Sequence, residues 1–126
     1  MWLQALELAE QAERLQSRFV RYLGPAAGGI AWEPPVDIYE CGEELRLELA
    51  LPGVAAQDIE IRLEGEALTV TALRRLSCPA GGGIRRLEIP YGRFVRRISL
   101  ARAMRLVYSQ YRDGCLKLHL MPAEAE

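Results

Sequence analysis

Leucine and charged residues alternate along one segment of this chain, and that pattern limits its fold more than any other feature. Leucine stands at every second position from Leu45 to Leu51, with Glu44, Arg46 and Glu48 alternating with these leucines. A period of two predicts a strand with one buried face and one face in water, as in antiparallel sheets. The same period recurs in three further segments, 59–64, 68–72 and 116–120. Turn-forming pairs such as Pro-Gly and Asp-Gly separate the segments, so we predict an all-β sandwich of about six to eight short strands.

The first 23 residues follow a different period. Apolar residues recur at spacings of four and three, which places them in a stripe on one face of a helix. The stripe consists of Leu8, Ala12, Leu15, Phe19 and Tyr22. Gly24 and Pro25 end the pattern. We therefore predict a helix over residues 2–23 and a flexible, glycine-rich linker over residues 24–31.

The sequence shows neither an export signal nor a membrane span. Charged residues interrupt the N-terminal segment, and no stretch approaches the roughly 20 apolar residues of a spanning helix. The cysteines are odd in number: Cys41, Cys78 and Cys115. We expect a cytoplasmic protein with free thiols that does not bind membranes.

Charge is unevenly distributed although the formal net charge is only −1. The segment from Glu33 to Glu66 carries ten acidic and two basic residues, and the segment from Arg74 to Arg97 carries seven arginines and one glutamate. A basic stretch can indicate nucleic-acid binding. Because an acidic stretch of similar size lies in the same chain, pairing within or between copies is the preferred interpretation, and such pairing would orient association.

No pattern of catalytic or metal-ligating residues is present. The sole histidine, His119, is four residues from Cys115, which on one strand is about 13 Å and too far for a catalytic pair. Cysteine and histidine do not occur at metal-ligand spacing, and the glycines at 81–83 do not open a helix after a strand. We expect no enzyme, no cofactor and no metal site, and we interpret His119 as a histidine on the polar face of a strand.

Several segments in order resemble the small heat-shock protein (alpha-crystallin) family. The match covers about residues 32–122, and it depends on the order and spacing of the set, since no single motif decides it. The segments are Trp32–Glu40, the Leu51-Pro52-Gly53-Val54 turn, 59–70, 91–100 and 111–118.

The resemblance implies an immunoglobulin-like antiparallel β-sandwich in which a strand within the 74–92 loop exchanges between two subunits. The length and the arginine content of this loop agree with such an exchange. The residues expected at the dimer contact are Ile84, Arg85, Arg86, Leu87, Ile89 and Arg93. We expect a homodimer or a small oligomer.

The resemblance also implies a chaperone that holds unfolding proteins without ATP. Clients would bind the apolar N-terminal arm and a groove between segments 58–64 and 106–111. The residues expected to bind clients are Trp2, Leu6, Leu15, Phe19, Ile59, Ile61 and Leu63. We divide the chain into an arm and linker over 1–31, an alpha-crystallin domain over 32–122 and a short tail over 123–126.

The sequence departs from the family pattern at several positions. The tail lacks the Ile-x-Ile motif that fills the groove of a neighbouring subunit in the family, and the N-terminal arm is short. Ala101 stands where the family usually has proline, and Ser109 and Cys115 replace its usual alanine and valine. The missing motif and short arm predict small assemblies rather than large shells.

Other functions remain as alternatives. The first is a co-chaperone or adaptor sandwich that binds one specific protein. The second is a cysteine-dependent enzyme or redox sensor. The third is a nucleic-acid-binding protein that uses the arginine stretch. We expect no nucleic-acid partner.

Overall fold

The computed structural model describes residues 20–22 and 30–123, which form a β-sandwich. A short 3-10 turn, Ala56–Asp58, leads into the fifth strand. The strands are β1 Val20–Tyr22, β2 Ile30–Trp32, β3 Val36–Cys41, β4 Glu44–Ala50, β5 Ile59–Glu64, β6 Ala67–Arg74, β7 Gly92–Ser99, β8 Met104–Arg112 and β9 Cys115–Pro122.

The strands form two sheets. The five-stranded sheet has the order β1-β2-β7-β6-β5, and the four-stranded sheet has the order β3-β4-β9-β8. Neighbours run antiparallel, except that β2 and β7 run parallel. The predicted immunoglobulin-like sandwich is confirmed.

The alternating leucines build the core between the sheets. Leu47 lies opposite Leu118, and Leu49 lies opposite Leu116 in the β4–β9 ladder. Across the sandwich they meet Leu68 and other apolar residues of the second sheet, all at most 8 % exposed. Each buried leucine contributes about 1.5–3 kcal/mol, so the period-two pattern stabilises the contact between the two sheets.

The prediction of an N-terminal helix is wrong over the last turn of that helix. Val20–Tyr22 pair antiparallel with Ile30–Trp32, so their backbone hydrogen bonds run to β2 and not along a helix. Ile30 and Ala31, predicted as linker, belong to β2 as well. Pairing with a neighbouring strand overrides the local helical period here. The rest of the predicted helix, residues 2–19 and 23, lies outside the described residues.

The Asp-Gly turn between β8 and β9 packs closely against the Pro-Gly turn after β4. Asp113 and Gly114 both have positive φ, 54° and 75°. A Cβ on Gly114 would lie 3.3 Å from the Cα of Pro52, and the Gly114 carbonyl accepts a hydrogen bond from the Leu51 amide at 2.8 Å. Gly114 therefore meets two constraints, a left-handed backbone and a close approach.

We predict that Gly114→Ala lowers the free energy of unfolding by about 2 kcal/mol, because it adds backbone strain and a close contact. Gly42→Ala is the matched control, since Gly42 has a φ of 66° with open space around its Cα. The free energy of unfolding of Gly42→Ala should fall by about 1 kcal/mol, from backbone strain alone. Urea unfolding measures both, and equal losses would show that the approach to Pro52 has no effect.

Residues 75–91 connect β6 and β7 without forming a strand, and we name this segment the excursion. The further strand that residues 84–89 could supply has no ladder partner within the described chain.

Candidate functional site

An apolar groove lies where the edge strands of the two sheets meet. β5 ends the five-stranded sheet and β8 ends the four-stranded sheet. The groove between them is open to solvent and has a volume of about 160 Å³. Its lining residues are Ala56, Ile59, Ile61, Ser109, Gln110, Tyr111 and Leu116. It lies between the two segments that the sequence predicted, 58–64 and 106–111.

Alternation along β5 gives the groove its apolar wall. Ile59, Ile61 and Leu63 pack partly buried against the core, whereas the intervening charged residues are exposed. Ile59 and Ile61 line the groove. Leu63 shares their face of β5 but is not among the groove-lining residues.

The opposite wall is held by a hydrogen bond that the sequence did not reveal. The hydroxyl of Tyr111 donates to the carbonyl oxygen of Leu51 in the Pro-Gly turn. This bond fixes the aromatic ring beside Leu116 at one end of the groove. Ser109 is exposed on the same wall, and its small side chain leaves the space open.

Three side-chain contacts hold the base of the excursion. Arg74 donates to the Pro90 carbonyl at 3.1 Å, and Trp32 Nε1 donates to the Tyr91 carbonyl at 2.9 Å. Arg75 binds Asp58 through two hydrogen bonds of 3.1 Å each. These contacts fix where the excursion leaves the sandwich.

The Arg75 hydrogen bonds lower the pKa of the Asp58 carboxyl, against an opposing effect of burial. A carboxyl whose pKa is lowered by folding stabilises the fold above its unfolded pKa, and that stabilisation disappears as the pH falls through the folded pKa. The contact is therefore complete at neutral pH and is lost as the pH falls below about 4.

We predict that Asp58→Asn loosens the excursion. Tryptic cleavage after Arg85 and Arg86 should become about threefold faster, the change expected from losing an ion pair whose arginine is exposed. Asp113→Asn is the control, because Asp113 contacts only a neighbouring exposed arginine, at 3.6 Å. An unchanged rate in Asp58→Asn would show that this contact does not restrain the excursion.

Beyond its base, the excursion presents apolar side chains to solvent between arginines. Ile84 is 55 % exposed and Ile89 is 62 % exposed, and Leu87 is exposed between them. Arg85 and Arg86 are exposed in the same stretch. The structure thus groups five of the six residues predicted at the dimer contact. Arg93 lies apart from them, in β7.

A second exposed surface is the free edge of β3. This strand pairs with β4 on one side and with no described strand on the other. Its large apolar residues Ile38 and Tyr39 are exposed, and Asp37 and Glu40 flank them. An unpaired edge of this kind is a template for another chain.

Comparison with known proteins agrees with this geometry. Residues 37–126 match the Hsp20/alpha crystallin family. The chain belongs to that family. Membership supports a chaperone role for this small heat-shock protein, since the family consists of chaperones and not of enzymes. None of the curated proteins compared with the chain matches it.

Solved structures of other small heat-shock proteins share the fold. HSP18.5 from E. histolytica has a TM-score of 0.64 at 21 % identity, covering 76 % of this chain and 93 % of its own. A small heat-shock protein from Xylella fastidiosa has a TM-score of 0.63 at 26 % identity, covering 75 % and 90 %. HspA from Xanthomonas axonopodis has a TM-score of 0.61 at 26 % identity, covering 72 % and 94 %.

His119 and Cys115 of this small heat-shock protein both lie on β9. His119 Nδ1 lies 3.3 Å from Glu44 Oε1, its ring centroid lies 4.7 Å from that of Tyr108, and Arg46 donates to the same Glu44 oxygen at 2.8 Å. Burial is the main cause that raises the pKa of the Cys115 thiol, which keeps it protonated at neutral pH.

Within residues 20–22 and 30–123, no group of histidine, cysteine and acidic residues could hold a metal ion. No helix in that part of the chain is long and apolar enough to cross a membrane. Four of the residues predicted to bind clients lie outside the described residues: Trp2, Leu6, Leu15 and Phe19.

Proposed function

We propose that this small heat-shock protein is an ATP-independent holdase, which binds unfolding proteins through apolar surface and keeps them from aggregating. The observation that carries the proposal is the groove between β5 and β8. It is apolar, it is open at the surface, and no described segment of the chain fills it.

The groove suits an extended apolar segment. β5 and β8 are both sheet edges, so each has unpaired backbone groups that an added strand can bind. Ile59 and Ile61 are two residues apart on one face, which matches the spacing of alternate side chains in a client strand.

Such binding is weak and unselective, as a holdase requires. Burial of apolar surface contributes about 25 cal/mol per Å², and ordering a flexible client offsets part of that gain. Because unfolding clients expose apolar segments that native proteins bury, binding competes with their aggregation by mass action. The proposal includes further client contacts on the N-terminal arm, at Trp2, Leu6, Leu15 and Phe19.

The functional unit in this proposal is a dimer formed by strand exchange. Residues 84–89 of one copy add to the free edge of β3 in the second copy, where they find the ladder partner that their own chain lacks. Ile84, Leu87 and Ile89 supply the apolar contacts for this pairing.

Charge complementarity favours this pairing. Two of the excursion's arginines, Arg85 and Arg86, meet the acidic hairpin formed by β3 and β4. The acidic residues of that hairpin are Asp37, Glu40, Glu43, Glu44 and Glu48. Opposite charges of this kind orient two copies and speed their encounter.

Light scattering of a heat-labile client at its aggregation temperature, without ATP, tests the holdase function. We expect suppression at a near-stoichiometric ratio for several unrelated clients. Suppression for none of them, by a protein that is still folded, would contradict the proposal. Stoichiometric binding of one native protein in place of suppression would indicate the adaptor function.

A further inference from the structure

Two serines of this chain follow a pair of arginines in the same pattern. Residues 74–77 are Arg-Arg-Leu-Ser, and residues 96–99 are Arg-Arg-Ile-Ser. The first set runs from the end of β6 into the excursion, and the second lies within β7. Some serine kinases select their substrates by charge, and arginines two and three residues before the serine are one such charge pattern. The sequence alone gives both serines the same signal for modification.

The structure places the two serines in different backbones. Ser99 is the register partner of Ala67 in the β6–β7 ladder, so its backbone already belongs to the sheet. Ser77 is exposed and lies in no strand. An enzyme that takes a chain into its cleft needs locally open backbone, as in proteolysis. Ser77 meets this condition in the folded protein, whereas Ser99 would require β7 to leave the sheet.

The arginines three residues before each serine also differ in what holds them. Arg74 donates to the carbonyl oxygen of Pro90, an uncharged acceptor. Arg96 pairs with the Glu33 carboxylate at 3.3 Å, and the two side chains are only 27 % and 20 % exposed. A carboxylate holds a guanidinium more strongly than a carbonyl oxygen does, so Arg74 is the easier of the two for a kinase to bind.

Ser77 shares an open hollow of the excursion with several arginines. The hollow has a volume of about 710 Å³, and its lining includes Ser77, Arg74, Arg85, Arg86 and Glu88. A phosphoserine carries about −1.5 to −2 charge at neutral pH and three acceptor oxygens, and it forms charge-assisted hydrogen bonds opposite an arginine cluster. Because three arginines face one glutamate in this lining, the hollow favours a phosphate on Ser77.

We propose that Ser77 is the phosphorylation site of a serine kinase that selects basic substrates, and that Arg85 and Arg86 bind the phosphate. The serine oxygen, Oγ, forms a bond to the γ-phosphorus of ATP, and the bond from that phosphorus to the β–γ bridging oxygen breaks. ADP leaves, and the serine proton passes to the catalytic aspartate of the kinase. Ser99 stays unmodified in the folded chain.

Phosphate on Ser77 has a consequence for pairing, and this part of the inference rests on the proposed dimer. In that dimer Arg85 and Arg86 meet the acidic β3–β4 hairpin of the second copy. A phosphate that binds these arginines within their own excursion weakens the attraction between the copies. The kinase would then control the strength of the dimer.

Phosphate mapping of the folded, full-length chain tests the site. The protein is incubated with ATP, Mg²⁺ and a purified serine kinase that requires arginine two and three residues before its target. Mass spectrometry then gives the rate at each serine. We expect Ser77 to react at least about tenfold faster than Ser99, because only Ser99 requires the ladder to open.

Synthetic peptides of residues 71–81 and 93–103 are the matched control. Without the fold, Ser77 and Ser99 should react at similar rates in the two peptides. Equal rates at the two serines of the folded chain would overturn the proposal. Absence of phosphate on Ser77 in protein isolated from both growing and heat-stressed cells that make it would also overturn the proposal.

Sedimentation velocity over a dilution series tests the effect on pairing. The dimer dissociation constant of the protein phosphorylated on Ser77 should be about tenfold higher than that of the unmodified protein, the change expected from losing part of a charge attraction. Kinase-treated Ser77→Ala is the control and should dimerise as the unmodified protein does. An unchanged constant in the phosphorylated protein would overturn the regulatory part. The mapping needs no dimer, so failure of the site is distinguishable from failure of the proposed dimer.

Discussion

Ser109→Phe should remove most of the holding activity. Ser109 lies on the open wall of the groove between β5 and β8, opposite Ile59 and Ile61. A phenylalanine there fills the space that a client side chain would enter. Because Ser109 is exposed, the ring can be added without removing any core contact. We expect the concentration that halves client light scattering to rise about tenfold, the equivalent of one apolar side chain lost from the contact.

Val107→Phe is the control for this result. It places the same ring on the same strand, at the bulge between Leu106 and Tyr108, outside the groove lining. Its holding activity should match that of the unchanged protein. If Ser109→Phe holds clients equally well while both variants melt at the same temperature, clients do not enter the groove.

Replacing both Arg85 and Arg86 with glutamate should dissociate the dimer. In the proposed dimer, the substitutions put two negative charges opposite the acidic β3–β4 hairpin of the second copy, where attraction becomes repulsion. We expect the dimer dissociation constant to rise at least about a hundredfold, since like charges in an interface cost several kcal/mol. Sedimentation velocity over a dilution series measures the change.

A reversed hairpin provides the rescue. Asp37→Arg with Glu40→Arg should restore dimers when combined with the excursion variant, because the two acidic residues of β3 itself become basic and face the new glutamates. Arg105→Glu with Arg112→Glu is the control for charge alone, since these exposed arginines lie on β8. A dimer of unchanged strength in Arg85→Glu/Arg86→Glu would show that the excursion does not form the interface.

The sandwich could be predicted from the sequence because its core strands have one wet face. Leu47, Leu49, Leu116 and Leu118 alternate with charged residues, and burial fixes both the strands and their register. β1 and β2 were missed for a physical reason. Each has three residues, too few for a period, and β1 is formed by pairing with β2 rather than by its own pattern.

The groove could be predicted only through the family resemblance. Ile61 and Ser109 are far apart in the sequence, and nothing local shows that β5 and β8 become facing edges of different sheets. The hydrogen bond from Tyr111 to Leu51 and the Arg75–Asp58 contact depend on the same tertiary arrangement. The one local signal for the groove was the alternation of Ile59, Ile61 and Leu63 with charged residues.

Hydrogen exchange of the protein bound to a heat-unfolded client shows whether the client occupies the groove between β5 and β8. The groove peptides cover residues 59–61 and 109–111, and a peptide in the core strand β9 serves as the internal control. We predict slower exchange in both groove peptides of the complex than in the free protein, with no change in β9. Unchanged exchange in both groove peptides, in a complex that keeps the client soluble, would show that clients bind outside the groove.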